Sequence, residues 1–205
     1  MHATDFDRSR GKVNPTVYAM EKNGMDKEGY IMTNEVIKAM IERRSCRKFK
    51  AEQIKDEELQ AILEAGKYAA TGKGLQSPKM VVIQNPEVIA KLSKWNADIM
   101  GVTSDPFYGA PTVILVLADA TRTTAVQDGS LVMGNLMLAA HSIGVASCWI
   151  NRAKEEFATE EGKALLKQWG IEGDYIGVGH CVLGYPAVDL PKPAPRKEDY
   201  VVFVK

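Results

Sequence analysis

Where an apolar-periodic stretch runs out, the chain reads Glu42-Arg43-Arg44-Ser45-Cys46-Arg47-Lys48-Phe49-Lys50, five cations around one serine. A guanidinium presents a planar fork that matches two phosphate oxygens at once, and a neighbouring hydroxyl can donate to a third. Arg43, Arg44, Ser45 and Arg47 thus have the make-up of a clamp for a terminal phosphate monoester. A solvated basic turn has the same make-up, and a motif this short is by itself more often only that.

Other chemistries find less support. His2, His141 and His180 are few and scattered, so no metal site is expected, and His141 reads as a hydrogen-bonded interior residue of an apolar helix. The glycines of Gly177-Val178-Gly179-His180-Cys181-Val182-Leu183-Gly184 fall in a strand-like run, where a dinucleotide fingerprint needs a strand-to-helix turn. There is no phosphate-binding P-loop. Ser147-Cys148 lacks the Gly-x-Ser-x-Gly spacing of a nucleophile elbow, and Cys148 reads as a small buried hydrophobe.

Composition narrows the classes further. The 205 residues suit one domain, 45% are hydrophobic and 25% charged, and the formal net charge of zero supplies no general field for nucleic acid or an anionic membrane. No apolar run approaches the roughly 18 residues of a spanning helix, and the N-terminus lacks the apolar core of a secretory signal. The three cysteines, Cys46, Cys148 and Cys181, contain no C-x-x-C pair, as expected in a reducing compartment. A cytoplasmic protein is the expectation.

The elements that must position the cation cluster follow from periodicity. Ile54 to Gly66 carries carboxylates in its first turn and Leu59, Ile62 and Leu63 on one stripe, an amphipathic helix. It leads through the glycine-bearing loop Ala69 to Pro78 into the apolar strand Met80 to Ile83. The pattern predicts helices near 34–43, 56–69 and 127–143, and strands near 79–84, 112–119, 145–150 and 176–184. Tyr200 to Val204 is a candidate edge strand, and Pro186 to Pro195 an extended connector. The fold class is α+β, a mixed α/β sandwich with a central mixed sheet flanked by helices. Leu131 to Ala140 is apolar nearly all round, so this helix should be buried between the sheet and something else.

Residues 1–31 read differently, with little apolar periodicity. Thr33 is placed as the N-cap of a helix bearing Val36, Ile37, Met40 and Ile41 on one face. One codon choice for Lys27-Glu28-Gly29 spells a bacterial ribosome-binding sequence at a suitable distance from Met32. The expected organisation is a leader over 1–31 and a single domain over 32–205. The alternative is an arm crossing onto a partner subunit.

The order of cation cluster, helix, glycine loop and strand resembles the FMN-dependent nitroreductase family, whose members open with Arg-x-Ser-x-Arg/Lys-x-Phe and a small-residue loop ending in Gln-Pro. The resemblance runs from about Asn34 to the C-terminus. Ala110 to Asp119 looks like the family's central strand, Asp128 to Gly144 like its buried central helix, and Gly184-Tyr185-Pro186 with Pro195-Arg196-Lys197 like its closing segment.

That resemblance implies an intertwined homodimer with FMN in each of two interface clefts, and NADH or NADPH as electron donor. Arg43, Arg44, Ser45 and Arg47 would bind the phosphate and ribityl end, with Arg196 and Lys197 closing over the phosphate. Gln76, from the other subunit, would touch the ring's edge. Trp149, Ile150, Asn151 and Arg152 would place backbone amides near N5 and O4, though Trp149 reads equally as a core aromatic. Asn96 is a candidate for the polar residue at the pyrimidine side. Two departures stand out: Gly74 occupies the place of a frequent Asn, and Gln76-Ser77-Pro78 replaces Gln-Pro-Trp. The implied reaction passes hydride from NAD(P)H through the flavin to an organic acceptor such as a nitroaromatic or quinone, in ping-pong fashion. A nonenzymatic flavin-binding protein on the same scaffold is the rival reading, and no catalytic side chain is required in either.

Overall fold

The computed structural model describes residues 16–17 and 32–205. They belong to two compact units, Met1–Glu42 and Arg43–Lys205. In the first, β1 (Thr16–Val17) pairs antiparallel with β2 (Met32–Thr33), and α1 (Glu35–Glu42) follows. The cap of α1 is Asn34, whose Oδ1 accepts from Ile37 N at 2.9 Å, and not Thr33. Thr33 sits one residue too early, in the β-pairing, while the side-chain oxygen of Asn34 reaches the third helical amide. Apart from Thr16–Val17, the expected leader lies outside the described residues.

The second unit begins with α2 (Asp56–Lys67), whose Leu59, Ile62 and Gly66 face inward. Glu58 Oε2 accepts from Lys55 N at 2.9 Å and closes its first turn. A short 3-10 turn at Gly72–Gly74 leads to β3 (Pro78–Ile83). The chain continues through α3 (Pro86–Met100), β4 (Thr112–Asp119), α4 (Ala125–Ser142) and β5 (Ala146–Ile150). It ends with α5 (Ala153–Ala158), α6 (Glu160–Gln168) and β6 (Tyr175–Gly184). The periodicity argument passes over α3, α5 and α6. Yet α3 carries full punctuation: Asn85 Oδ1 accepts from Glu87 N and Val88 N, Pro86 opens the helix, and Gly101 ends it at φ 68°.

The strands form one sheet in the order β3-β4-β6-β5, antiparallel at every junction, where a mixed sheet was expected. The connection through α3 and the one through α5 and α6 join antiparallel neighbours, while α4 carries the chain from β4 across to β5, with β6 later filling the place between them; a parallel pairing occurs at the isolated bridge Ser45–Ser147. β4 is buried from Thr112 to Ala118, which is why it reads as one continuous apolar run. Its residues alternate between two cores. Ile114 and Val116 join Ile62 of α2 and Met133 and Leu136 of α4; Val113, Leu115 and Leu117 join Leu92 of α3, Phe157 of α5 and Leu166 of α6.

The packing of α4 is one-sided. Val132, Met133, Leu136 and Ala140 are buried, while Leu131 is 50% exposed. The tail at 201–205 forms no strand and lies exposed, where an edge strand over Tyr200 to Val204 is the expectation from sequence. No helix among the described residues is long and apolar enough to cross a membrane.

Candidate functional site

The cation cluster is held as an extended ribbon along the outer side of β5. Ser45 bridges Ser147 in parallel, and Cys46 N donates to Ser147 O at 2.9 Å. Further on, Lys50 N donates to Tyr185 O at 2.9 Å, and Ala187 N donates to Lys48 O at 3.0 Å. Cys46 and Phe49 point into the core and anchor the ribbon, leaving Arg47, Lys48 and Lys50 exposed. Arg43, Arg44 and Ser45 are half-buried. Arg44 Nη1 donates to Arg43 O at 2.6 Å.

Arg43 carries the informative atom. Its Nη1 is buried and has no hydrogen-bond partner among the described residues. A buried guanidinium nitrogen left unpaired is expensive unless an anion completes it. Electrostatics around the nearby thiols agree with a cationic pocket. Burial pushes the Cys148 thiol up, while the hydroxyl of Ser45 and the charges of Arg47 and Arg43 act in the opposite direction. Burial, with a smaller push from Cys148 and against the charge of Arg43, lifts Cys181 to about 12, so the thiolate is disfavoured at both cysteines.

The ribbon runs beside β5, whose end carries the second group of expected residues. The structure therefore brings Arg43–Arg47 and Trp149–Arg152 to one sheet edge. Trp149 is half-buried against the α4-side core, and its indole packs on Gly179, where a Cβ would stand 2.4 Å from Nε1. Ile150 is buried and Asn151 exposed. Arg152 takes the left-handed conformation at φ 80°, unusual for a residue with a side chain. Asn151 and Arg152 border a hollow of about 350 Å³ that Val126, Glu155, Gly177 and Val178 also line.

Gln76 is elsewhere. It precedes β3, at the opposite edge of the sheet from β5, and is exposed with φ 50°. Asp128, which sequence reasoning gave no role, organises its loop: the buried carboxylate accepts from Gly72 N at 2.9 Å, Thr124 Oγ1 at 3.1 Å and Ser77 Oγ at 3.2 Å. Gln76 N in turn donates to Thr71 Oγ1 at 3.0 Å. Arg196 and Lys197 are exposed, and the Arg196 guanidinium donates to Ala194 O at 2.7 and 3.2 Å. Asn96 is fully enclosed and spends its amide hydrogens on Asn151 O and Glu156 Oε1, so it cannot itself read a ligand. Among the described residues no group of acidic, histidine and cysteine side chains could hold a metal ion.

An antiparallel sheet lies between two helical layers, with a half-buried guanidinium at Arg43 and a left-handed backbone turn at Arg152 along one edge. The description of the nitroreductase family matches residues 40–104 and 98–185. The chain belongs to the nitroreductase family.

A putative NADH dehydrogenase/NAD(P)H nitroreductase of Archaeoglobus fulgidus is 31% identical over 157 residues, covering 74% of this chain and 86% of that protein. An NADPH-flavin oxidoreductase of Vibrio harveyi is 28% identical over 82% of this chain and 72% of its own length. A nitroreductase of Bacteroides fragilis, solved with FMN bound, superposes with a TM-score of 0.78 at 29% identity, covering 84% of this chain and all of that one.

Proposed function

We propose that this chain is an FMN-dependent oxidoreductase that takes electrons from NADH or NADPH and delivers them to an organic acceptor such as a nitroaromatic or quinone. The observation that carries the assignment is the buried Arg43 Nη1, without a hydrogen-bond partner among the described residues, in a ribbon that also presents Ser45 and Arg47. A terminal phosphate fits that cradle: it supplies the missing acceptor, and its spare oxygens suit the Ser45 hydroxyl and the neighbouring guanidinium groups of Arg44 and Arg47. FMN carries such a terminal phosphate, whereas the phosphates of FAD are bridging.

When bound, the flavin supplies two-electron hydride chemistry at its ring. The chain's part is to hold and tune it. Arg43, Arg44, Ser45 and Arg47 anchor the phosphate end. Trp149, Ile150, Asn151 and Arg152 present backbone amides toward N5 and O4, where donors favour the reduced, anionic ring. Arg196 and Lys197 close over the phosphate from the C-terminal segment, and Gln76 serves the cleft of a second subunit. Its place across the sheet from the ribbon supports that division. Donor and acceptor then use the same open face in turn, a ping-pong order. Three free, buried cysteines suit a cytoplasmic setting.

The test is anaerobic mixing of the purified, flavin-loaded protein with NADH and with NADPH. Rapid bleaching of the flavin absorption band is expected, followed by its return when a quinone or nitroaromatic is added. A band that persists with both donors would overturn the oxidoreductase reading.

A further inference from the structure

Three polar side chains are sealed inside the core that α3, α5 and α6 build against the sheet. Asn96 on α3, Glu156 on α5 and His180 on β6 are each no more than 1% exposed. Asn96 Nδ2 donates to Glu156 Oε1 at 2.7 Å and to Asn151 O at 2.6 Å. Glu156 Oε2 stands 3.0 Å from His180 Nε2, within ion-pair reach although the ring is turned away from an aligned hydrogen bond. Phe107 and Phe157 pack on the imidazole with centroids at 5.0 and 6.3 Å.

Apolar side chains of the same volume would fill this space at lower cost, because burying a carboxylate and an imidazole sacrifices their hydration. What the polar chain provides is a fixed end. That end is the carbonyl of Asn151, at the mouth of the turn that follows β5.

The peptide unit is planar, and in its trans form the C=O of one residue and the N–H of the next point in opposite directions. Asn151 O turned inward to Asn96 therefore sends Arg152 N–H outward. Arg152 keeps φ 80°, a conformation that persists only where surrounding contacts over-determine it. Asn96 below and the start of α5 beyond, where Glu156 N donates to Arg152 O at 3.0 Å, are two such contacts.

We propose that Asn96, braced by Glu156 and His180, is a positioning residue that aims the Arg152 N–H at the N5–O4 edge of the flavin and so sets its reduction potential. This rests on the reading that Trp149–Arg152 lines the ring. The Asn151 carbonyl is the link, and neither Asn96 nor Glu156 touches the ligand.

The experiment compares Asn96→Leu with the parent protein, both loaded with FMN. Loss of one well-aimed donor should reduce the preference for reduced over oxidised FMN roughly tenfold, a shift of about 30 mV to more negative potential for a two-electron couple. In the flavin-free variant, hydrogen exchange over residues 149–155 should accelerate. Glu156→Gln keeps an acceptor for Asn96 and should stay near the parent potential. Phe157→Leu loosens the same core, and should lower Tm without moving the potential. If Asn96→Leu fails to fold, the smaller Asn96→Ser carries the same test. Parent protein that holds FMN beside an Asn96 variant of unchanged potential would overturn this inference and leave the flavin assignment standing. Parent protein that takes up no FMN would overturn both.

Discussion

In the proposed phosphate clamp, Arg43 and Arg47 divide one task between a half-buried and an exposed position. Arg47 is solvated without ligand, so its removal subtracts only what it gives to the phosphate. A charge-assisted contact is worth about 1.5–3 kcal/mol, and Arg47→Ala should weaken FMN about ten- to a hundredfold in equilibrium titration. Arg43 differs because its Nη1 is buried and has no hydrogen-bond partner among the described residues. Arg43→Met should weaken FMN as well, yet raise the melting temperature of the flavin-free protein, since an uncompensated cation leaves the interior. A lowered apo melting temperature would mean that Arg43 is a structural brace. A second residue pair gives a pH signature. Tyr185 Oη donates to Glu58 Oε2 at 2.6 Å; this bond and the Lys55 amide hold the Glu58 carboxyl below its ordinary value, while the same bond raises the Tyr185 phenol. A carboxyl depressed on folding stabilises the fold above its unfolded value and loses that contribution as pH falls through its folded one. A phenol raised on folding stabilises below its unfolded value and loses it as pH climbs past the folded one. Tyr185→Phe should accordingly reduce stability between those ranges and flatten both the acid and the alkaline limb, as thermal melts across pH would register.

Elements hold these residues at contacts too close for substitution. Gly177 of β6 lies where an added Cβ would be 2.2 Å from Ala153 O, backbone of α5, and Gly129 of α4 lies where one would be 2.5 Å from Val178 Cγ2. Gly177→Ala should cost about 1–3 kcal/mol, because backbone cannot yield as a side-chain tip can, and it should disturb the Asn151–Arg152 turn as well. Asp128→Ala removes the acceptor shared by Gly72 N, Ser77 and Thr124, and should cost about 2–3 kcal/mol in denaturant melts while loosening the loop that carries Gln76. The strength of these elements in the sequence varied with how local their cause is. β4 was legible at both ends because burial on both faces makes Val113 to Ala118 one apolar run, bounded by Thr112 and Asp119. The ribbon stood out in the sequence because five cations fall within residues 43–50. α5 was not, since six residues carry too few turns for a period to emerge, and a capped α3 went unread beside its stronger neighbours. Least legible was the Asn96–Glu156–His180 chain. Its members stand far apart in sequence, and each alone looks like an ordinary polar residue; only the topology of α3, α5 and β6 brings them within reach.

At the scale of the whole molecule, one chain leaves apolar surface uncovered in several places. In the first unit α1 exposes Val36 and Met40. The organisation proposed for the chain is a single domain over 32–205, so protein starting at Met32 should retain full flavin content and melting temperature; a substantial fall in either would make the preceding residues structural. In the second unit, Leu131 and Ile143 of the α4 region are 50% and 42% exposed, and Tyr200 to Phe203 stand open at the C-terminus. Uncovered apolar helix and an unpaired apolar tail both favour association, and a second copy related by twofold symmetry would cover them reciprocally. In the proposed homodimer, Gln76 of one chain would serve the cleft at the other chain's ribbon. Obligate interfaces of this type bury on the order of 2,000 Å² or more and resemble a core cut in half. The expected outcome is a homodimer by light scattering, with FMN retention falling in step with dimer content on dilution or in mild denaturant. A monomer that still holds stoichiometric FMN would place the whole site within one chain and remove Gln76 from it.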